Sequence, residues 1–108
     1  MEFNKSTQYN LKDTVIYELC ASWYFDPNNF FIKGPTDEFI LKKREVLFLE
    51  MLLKYERIIT YNEMKKIIWK NKKDISANSI RLFVRDIKKK LPSNILRNFQ
   101  GVGYKLTI

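Results

Sequence analysis

Apolar residues recur along this chain with two periods, and the change from one to the other divides it. Up to residue 41 they come in short runs: Val15-Ile16-Tyr17, Trp23-Tyr24-Phe25, Phe30-Phe31-Ile32 and Phe39-Ile40-Leu41. Turn formers separate the later runs, Asp26-Pro27-Asn28-Asn29 and then Gly34-Pro35-Thr36-Asp37. β-Branched and aromatic runs broken by such turns read as strands, so the spacing predicts a four-stranded antiparallel sheet. From about Lys43 to Tyr55 the period becomes helical. Val46, Phe48, Leu49, Met51, Leu52 and Leu53 cover a wide arc and leave a polar stripe of Lys43, Glu50 and Lys54. A helix this apolar is buried on most sides. Leu47 falls on the polar stripe, as a lone exposed leucine or as part of a partner contact.

Thr60-Tyr61-Asn62-Glu63 has the spacing of a capping box, in which the Thr oxygen accepts from the third N–H and the Glu carboxylate reaches back to the cap. It predicts a second helix to about Lys70, anchored by Met64, Ile67 and Ile68 and closed by a packing Trp69. A short polar loop leads into a third helix over residues 77–91, where Ile80, Val84, Ile87 and Leu91 form one apolar face. Ser76 or Asn78 can cap its start, and Pro92 ends it because it has no N–H to donate. Arg81, Arg85, Lys88 and Lys89 lie off the apolar face, with Leu82 and Phe83 as bulky tips. Such a helix fits the major groove of B-DNA, and it is equally the solvated basic side of an ordinary core helix. A hairpin over residues 95–108 follows, two strands about the turn Gln100-Gly101-Val102-Gly103, whose glycines are expected to supply positive φ. That turn joins strand to strand and lacks a Gly-Lys-Ser/Thr ending, so it is no phosphate-cradling loop.

Charge changes the picture. Residues 1–38 hold three lysines against six Asp and Glu, whereas residues 39–108 hold seventeen Lys and Arg against six. A basic half joined to a mildly acidic half points to one polyanion-facing surface. The 108 residues are one domain by length, divided here into a loose lead-in at 1–13 and a folded unit at 14–108. Cys20 is the only cysteine, so no disulfide forms within the chain, and its apolar neighbours make it a buried small residue. The first residues are polar without a signal-peptide pattern, and the longest apolar run, about four residues, is far too short to span a bilayer. A cytoplasmic protein is expected. The chain has no histidine, no paired-carboxylate cleft signal, no P-loop and no metal-ligand cluster. Neither catalytic residues, metal nor cofactor are therefore expected.

Four segments taken together resemble a known family. They are Leu41-x-x-x-Glu45-x-x-Phe48-Leu49 in the first helix and Thr60-x-x-x-Met64 through Trp69 in the second. The others are Ile80-x-Leu82-x-Val84-x-x-Ile87-Lys88-x-Lys90-Leu91 and Gln100-Gly101-Val102-Gly103-Tyr104. In this order and spacing, over about residues 14–108, they are similar to the winged-helix DNA-binding effector domain of OmpR/PhoB-type response regulators. The resemblance implies an α+β winged helix-turn-helix: an N-terminal four-stranded antiparallel sheet, three helices and a C-terminal β-hairpin wing. It also implies a third helix in the major groove, a wing on the neighbouring minor groove or backbone, and dimers on repeated half-sites. The loop between the second and third helices (Lys70, Asn71, Lys72, Lys73 and Asp74) would face RNA polymerase. Control would come from an upstream receiver domain phosphorylated by a cognate histidine kinase. No receiver lies within these 108 residues, so the chain is either the C-terminal half of a longer regulator or a stand-alone relative.

On that resemblance, Arg85 and Arg81 are expected at base edges and Leu82 at a thymine methyl. Ser79, Lys88, Lys89 and Asn98 would hold phosphates and set register; Tyr104 has either a phosphate-contacting or a core role. Phe83 aligns with a frequent family histidine, Asp86 with an often basic position, and Asn98 and Gln100 with the wing's usual Thr and Arg. Asp86 is expected to accept from a cytosine N4 or to pair with Arg81 or Lys90. Lys42 stands where a Thr usually caps the first helix. The alternative reading is a winged-helix protein–protein interaction module with no specific DNA target, using Leu82, Phe83 and Leu47 as an apolar contact face.

Overall fold

The computed structural model describes residues 9–11, 14–72 and 75–107. Most of the expected lead-in therefore lies outside the described residues. The meander forms as predicted: β2 (Thr14–Cys20), β3 (Trp23–Asp26), β4 (Phe31–Lys33) and β5 (Glu38–Ile40) pair in sequence order, all antiparallel. A short strand β1 (Tyr9–Leu11) adds to its edge against β2. The turn after β3 closes because the buried Asp26 carboxylate accepts the backbone N–H groups of Asn28 and Asn29 at 3.0 and 3.1 Å and the Asn29 amide at 2.8 Å. An Asx turn of this kind lets a side chain do the work of backbone pairing. Cys20 is half-buried, and burial raises its thiol pKa.

Helix α1 (Lys43–Tyr55) is buried on most sides, as its apolar arc predicts. Lys42 offers no acceptor for the first turn; the Glu45 carboxylate instead accepts the Lys42 N–H at 2.8 Å. Leu47 packs half-buried against the core. After α1 comes β6 (Ile59–Thr60), absent from the sequence reading, which pairs with β8 (Gly103–Leu106). With β7 (Leu96–Phe99) they make a second sheet in the order β6-β8-β7. Gly103 is needed here for space rather than for φ. A Cβ on it would lie 2.0 Å from the Ile59 carbonyl oxygen. Only Gly101, at φ +78°, takes the positive φ expected of both hairpin glycines.

Helix α2 (Tyr61–Ile67) opens on the predicted capping box: the Glu63 N–H donates to Thr60 Oγ1 at 3.2 Å and the Thr60 N–H to Glu63 Oε1 at 2.9 Å. Arg57 adds two bonds to the same carboxylate, at 2.9 and 2.6 Å. The helix stops at Ile67, short of Lys70, because Lys70 and Asn71 turn left-handed (φ 54° and 61°). Ile67 is exposed, not an anchor; Met64 and Ile68 are buried. Helix α3 (Ala77–Lys88) is capped by Ser76, whose Oγ accepts the Ser79 N–H at 3.1 Å. It ends before Leu91: Lys90 and Leu91 bond back three residues, to the Ile87 and Lys88 carbonyls, in a tighter last turn.

One hydrophobic core holds all of this together, with Leu19, Phe25 and Ile32 from the meander and Ile80, Val84 and Ile87 from α3 in the same cluster. Through it runs a series of edge-to-face rings: Trp69–Phe83, Phe83–Phe48, Phe48–Tyr104 and Tyr104–Tyr61, with centroids 5.0 to 6.2 Å apart. The buried Glu45 carboxylate also takes the Lys90 ammonium at 2.9 Å, while Lys90 donates to the Ile40 carbonyl at 3.0 Å. That contact ties the end of α3 to the start of α1 and the end of β5.

Candidate nucleic-acid interface

Helix α3 separates its two sides sharply. Ile80, Val84 and Ile87 are at most 3 % exposed, whereas Ser79, Arg81, Leu82, Arg85, Asp86, Lys88 and Lys89 are exposed. The spacing explains it: residues three, four and seven after Ile80 share its face. That face includes Phe83, so its ring is half-buried between Phe48 and Trp69, corrected from the protruding tip expected. Leu82 remains, 42 % exposed. Phe83 and Leu47 both pack half-buried against the core, which leaves Leu82 as the exposed one of the three.

The charges on α3 differ from expectation at one point. Asp86 pairs with Arg85, at 3.5 Å, rather than with Arg81 or Lys90; Lys90 is engaged by Glu45. Both partners are well exposed, so this pair is weak and open to exchange for another ligand. Arg85 and Lys88 in the last turn also suit the negative end of the helix dipole.

The wing lies beside α3. Asn98 and Gln100 are exposed, as a contact role requires. Tyr104 is not. It points inward with Leu106 on alternate positions of β8 and is 3 % exposed, which assigns it the core role. Burial and then the neighbouring Tyr61 raise the pKa of its phenol, while the Arg81 cation draws it the other way. Two residues were missed by sequence reasoning. Arg97 and Lys105 stand directly opposite each other across β7 and β8, with the Arg97 guanidinium 5.4 Å from the Phe99 ring centre. Two like charges facing each other across strands repel unless an anion lies between them. The hairpin register, once assigned, was the signal that could have found them.

In the loop between α2 and α3, Lys70, Asn71 and Lys72 are exposed, and Lys73 and Asp74 lie outside the described residues. Among the described residues no His/Cys/Asp/Glu cluster could hold a metal ion, and no helix is long and apolar enough to cross a membrane.

A basic helix against a glycine-turned hairpin is the winged-helix arrangement, and residues 36–106 match the family described as "Transcriptional regulatory protein, C terminal". The chain belongs to that family, the OmpR/PhoB-type effector domains. These effector domains are parts of transcription regulators and not an enzyme class. The chain is 27 % identical over 81 residues to the regulatory protein VanRB of Enterococcus faecalis, covering 74 % of this chain but 37 % of that protein. It thus spans well under half the length of the curated relative it matches. Its fold is similar to the C-terminal domain of the nisin resistance regulator NsrR, a lantibiotic response regulator (TM-score 0.62, 21 % identity, covering 82 % of this chain and 96 % of that one). It is also similar to the DNA-binding domain of E. coli CadC (TM-score 0.59, 19 % identity, covering 81 % and 87 %). A third likeness is to a RitR C128S mutant (TM-score 0.64, 19 % identity, covering 79 % and 39 %).

Proposed function

We propose that this effector domain binds double-stranded DNA sequence-specifically, on behalf of a two-component transcriptional response regulator. The observation that carries the reading is α3 itself: an apolar face locked in the core and, opposite it, Arg81, Arg85 and Lys88 exposed on the helix, with Lys89 exposed at its C-cap. Residues 77–91, the helix and its closing turn, would lie in the major groove, with the hairpin of residues 95–108 as the wing. Arg85 and Arg81 would bond guanine O6 and N7, and Leu82 would touch a thymine methyl. Ser79, Lys88, Lys89, Asn98 and Gln100 would hold phosphates, joined by the opposed pair Arg97 and Lys105. Asp86, released from Arg85, would accept from a cytosine N4.

The loop of Lys70, Asn71, Lys72, Lys73 and Asp74 would meet RNA polymerase. The same reading gives the whole regulator a receiver domain upstream, a cognate histidine kinase, dimers on DNA and a place in the cytoplasm, with residues 14–108 as the DNA-binding unit. It requires no cofactor.

Affinity selection from a random duplex pool at physiological salt tests it. A short enriched motif repeated near one helical turn, about 10 bp, supports a specific dimeric regulator. Retention without any enriched motif refutes specificity, and no retention refutes DNA binding. With about five phosphates neutralised by α3 and the wing alone, log affinity should fall against log salt with a slope of roughly −4 to −5.

A further inference from the structure

The first turn of α1 breaks a rule that α3 keeps. Lys42, Lys43 and Arg44 stand consecutively at its start, all exposed. Cations there face the positive end of the helix dipole, where they are unfavourable, whereas those in the last turn of α3 suit its negative end. The one acid in that turn, Glu45, is buried and turned inward to Lys90. Among the described residues, none of the three cations has a carboxylate within 4.0 Å. Arg44 instead lies over the Trp69 ring, 5.7 Å from its centre. The Glu45 carboxylate on the Lys42 N–H offsets this cost only in part, and a local cost of this kind is a mark of functional surfaces.

The position of this basic turn names its partner. Lys42, Lys43 and Arg44 line one groove together with Ser79 and Phe83 of α3, floored by Trp69. The patch therefore adjoins the first turn of the helix assigned to the major groove. A duplex seated on α3 carries one of its phosphate strands along each side of that groove. An acidic protein surface would attract the same cations; their place beside the first turn of α3 is what favours the duplex. We propose that Lys42, Lys43 and Arg44 form a second phosphate-binding patch, clamping the DNA backbone that flanks the bases read by α3. The inference rests on the DNA-binding reading above and extends the contacted site beyond α3 and the wing.

The test is the salt dependence of binding to a duplex obtained by selection, comparing the wild type with Lys42→Gln/Lys43→Gln/Arg44→Gln. Each phosphate contact contributes about 0.9 to the slope, so removing three lowers it by up to about 2.7. Between about 50 and 200 mM salt the wild type should then lose roughly forty-fold more affinity than the triple variant. Both should lose affinity equally on selected and random duplexes, because phosphates carry no sequence. Lys42→Gln/Lys43→Gln leaves the Arg44–Trp69 contact in place and should show two-thirds of the slope change, which separates lost contacts from lost folding. Specific binding by the wild type with an unchanged slope in both variants overturns the patch and leaves the DNA reading standing. A wild type that binds no duplex overturns both.

Discussion

Lys90 follows two exposed lysines in sequence, yet the geometry gives it a different task. Its ammonium bonds Glu45 at 2.9 Å and the Ile40 carbonyl at 3.0 Å. The Glu45 side chain is 3 % exposed and that of Lys90 22 %. Lys90→Met removes the cation and leaves a buried carboxylate with the Lys42 N–H as its one remaining donor among the described residues. Breaking a buried pair from one side costs about 3–5 kcal/mol. Lys90 is partly in water, which places the expected loss near the lower end, about 2–4 kcal/mol. Against a total stability of roughly 5–15 kcal/mol that is a large fraction, and it corresponds to a Tm fall of roughly 10–20 °C. Thermal unfolding followed by circular dichroism measures it. Replacing both partners, Glu45→Met with Lys90→Met, should recover all but about 1 kcal/mol, because a well-packed apolar pair can substitute for a buried ionic one. The salt slope of DNA binding should stay at the wild-type value. A Tm within about 3 °C of wild type, or a double variant no better than the single one, refutes the brace. A slope lowered by about 0.9 at unchanged Tm would make Lys90 a phosphate contact instead.

Other outcomes follow from the same structure. Arg85→Ala should cost about 1–3 kcal/mol on a selected duplex and relax one base position; equal losses on selected and random DNA would remove its base-reading role. Gly103→Ala must push β6 away from β8, since the nearest atoms to its Cβ are Ile59 and Thr60 backbone. It should cost about 3 kcal/mol or more and expose to hydrogen exchange the Tyr61 amide, which donates to the Val102 carbonyl across this approach, against about 1–2 kcal/mol for Gly101→Ala, where only φ is strained. Unchanged exchange would show that the close approach is not required. The Arg57 guanidinium, and then the Thr60 N–H, hold the Glu63 carboxyl at about 2, below its ordinary 4.5. A pKa lowered by folding adds stability that is full above the unfolded value and lost as pH falls through the folded one. The capping box should therefore weaken between pH 4.5 and about 2, and Glu63→Gln should flatten acid unfolding in that window; parallel curves for variant and wild type would remove Glu63 as the cause.

What was legible in the sequence is what local chemistry decides. The Asx turn at Asp26, the capping box at Thr60 and the Ser76 cap each involve residues two or three apart, and each formed as its spacing indicates. The overshoot of α3 has a local cause too. Leu91 completes the apolar period and is buried, but it reaches the core from a tighter turn. The illegible features are pairings across long stretches of chain. Strand β6 is two residues long and acquires meaning only from β8, more than forty residues later. Glu45 and Lys90 are 45 residues apart. Phe83 reads in the sequence as a protruding tip that aligns with a family histidine, and Tyr104 as either a phosphate contact or a core residue. Their faces were settled by pleat and helical phase, which place both rings against Phe48.

That shared ring has a mechanical consequence for recognition. Phe83 belongs to α3 and Tyr104 to the wing, and each meets Phe48 of the central helix edge to face. Tyr61 and Trp69 extend the contact at either end, so the two elements proposed to meet DNA are fixed to one aromatic spine. Rings packed in this way hold better than their buried area alone implies, by about 0.5–1.5 kcal/mol per pair. A binding surface fixed before contact avoids the ordering cost of loops and side chains at its centre. The cost that remains lies with the long cationic side chains at the surface: Arg81, Arg85, Lys88 and Lys89 on α3, and Arg97 and Lys105 on the wing. On the proposed reading, specificity would then be a matter of which of those cations meets a base edge rather than a phosphate.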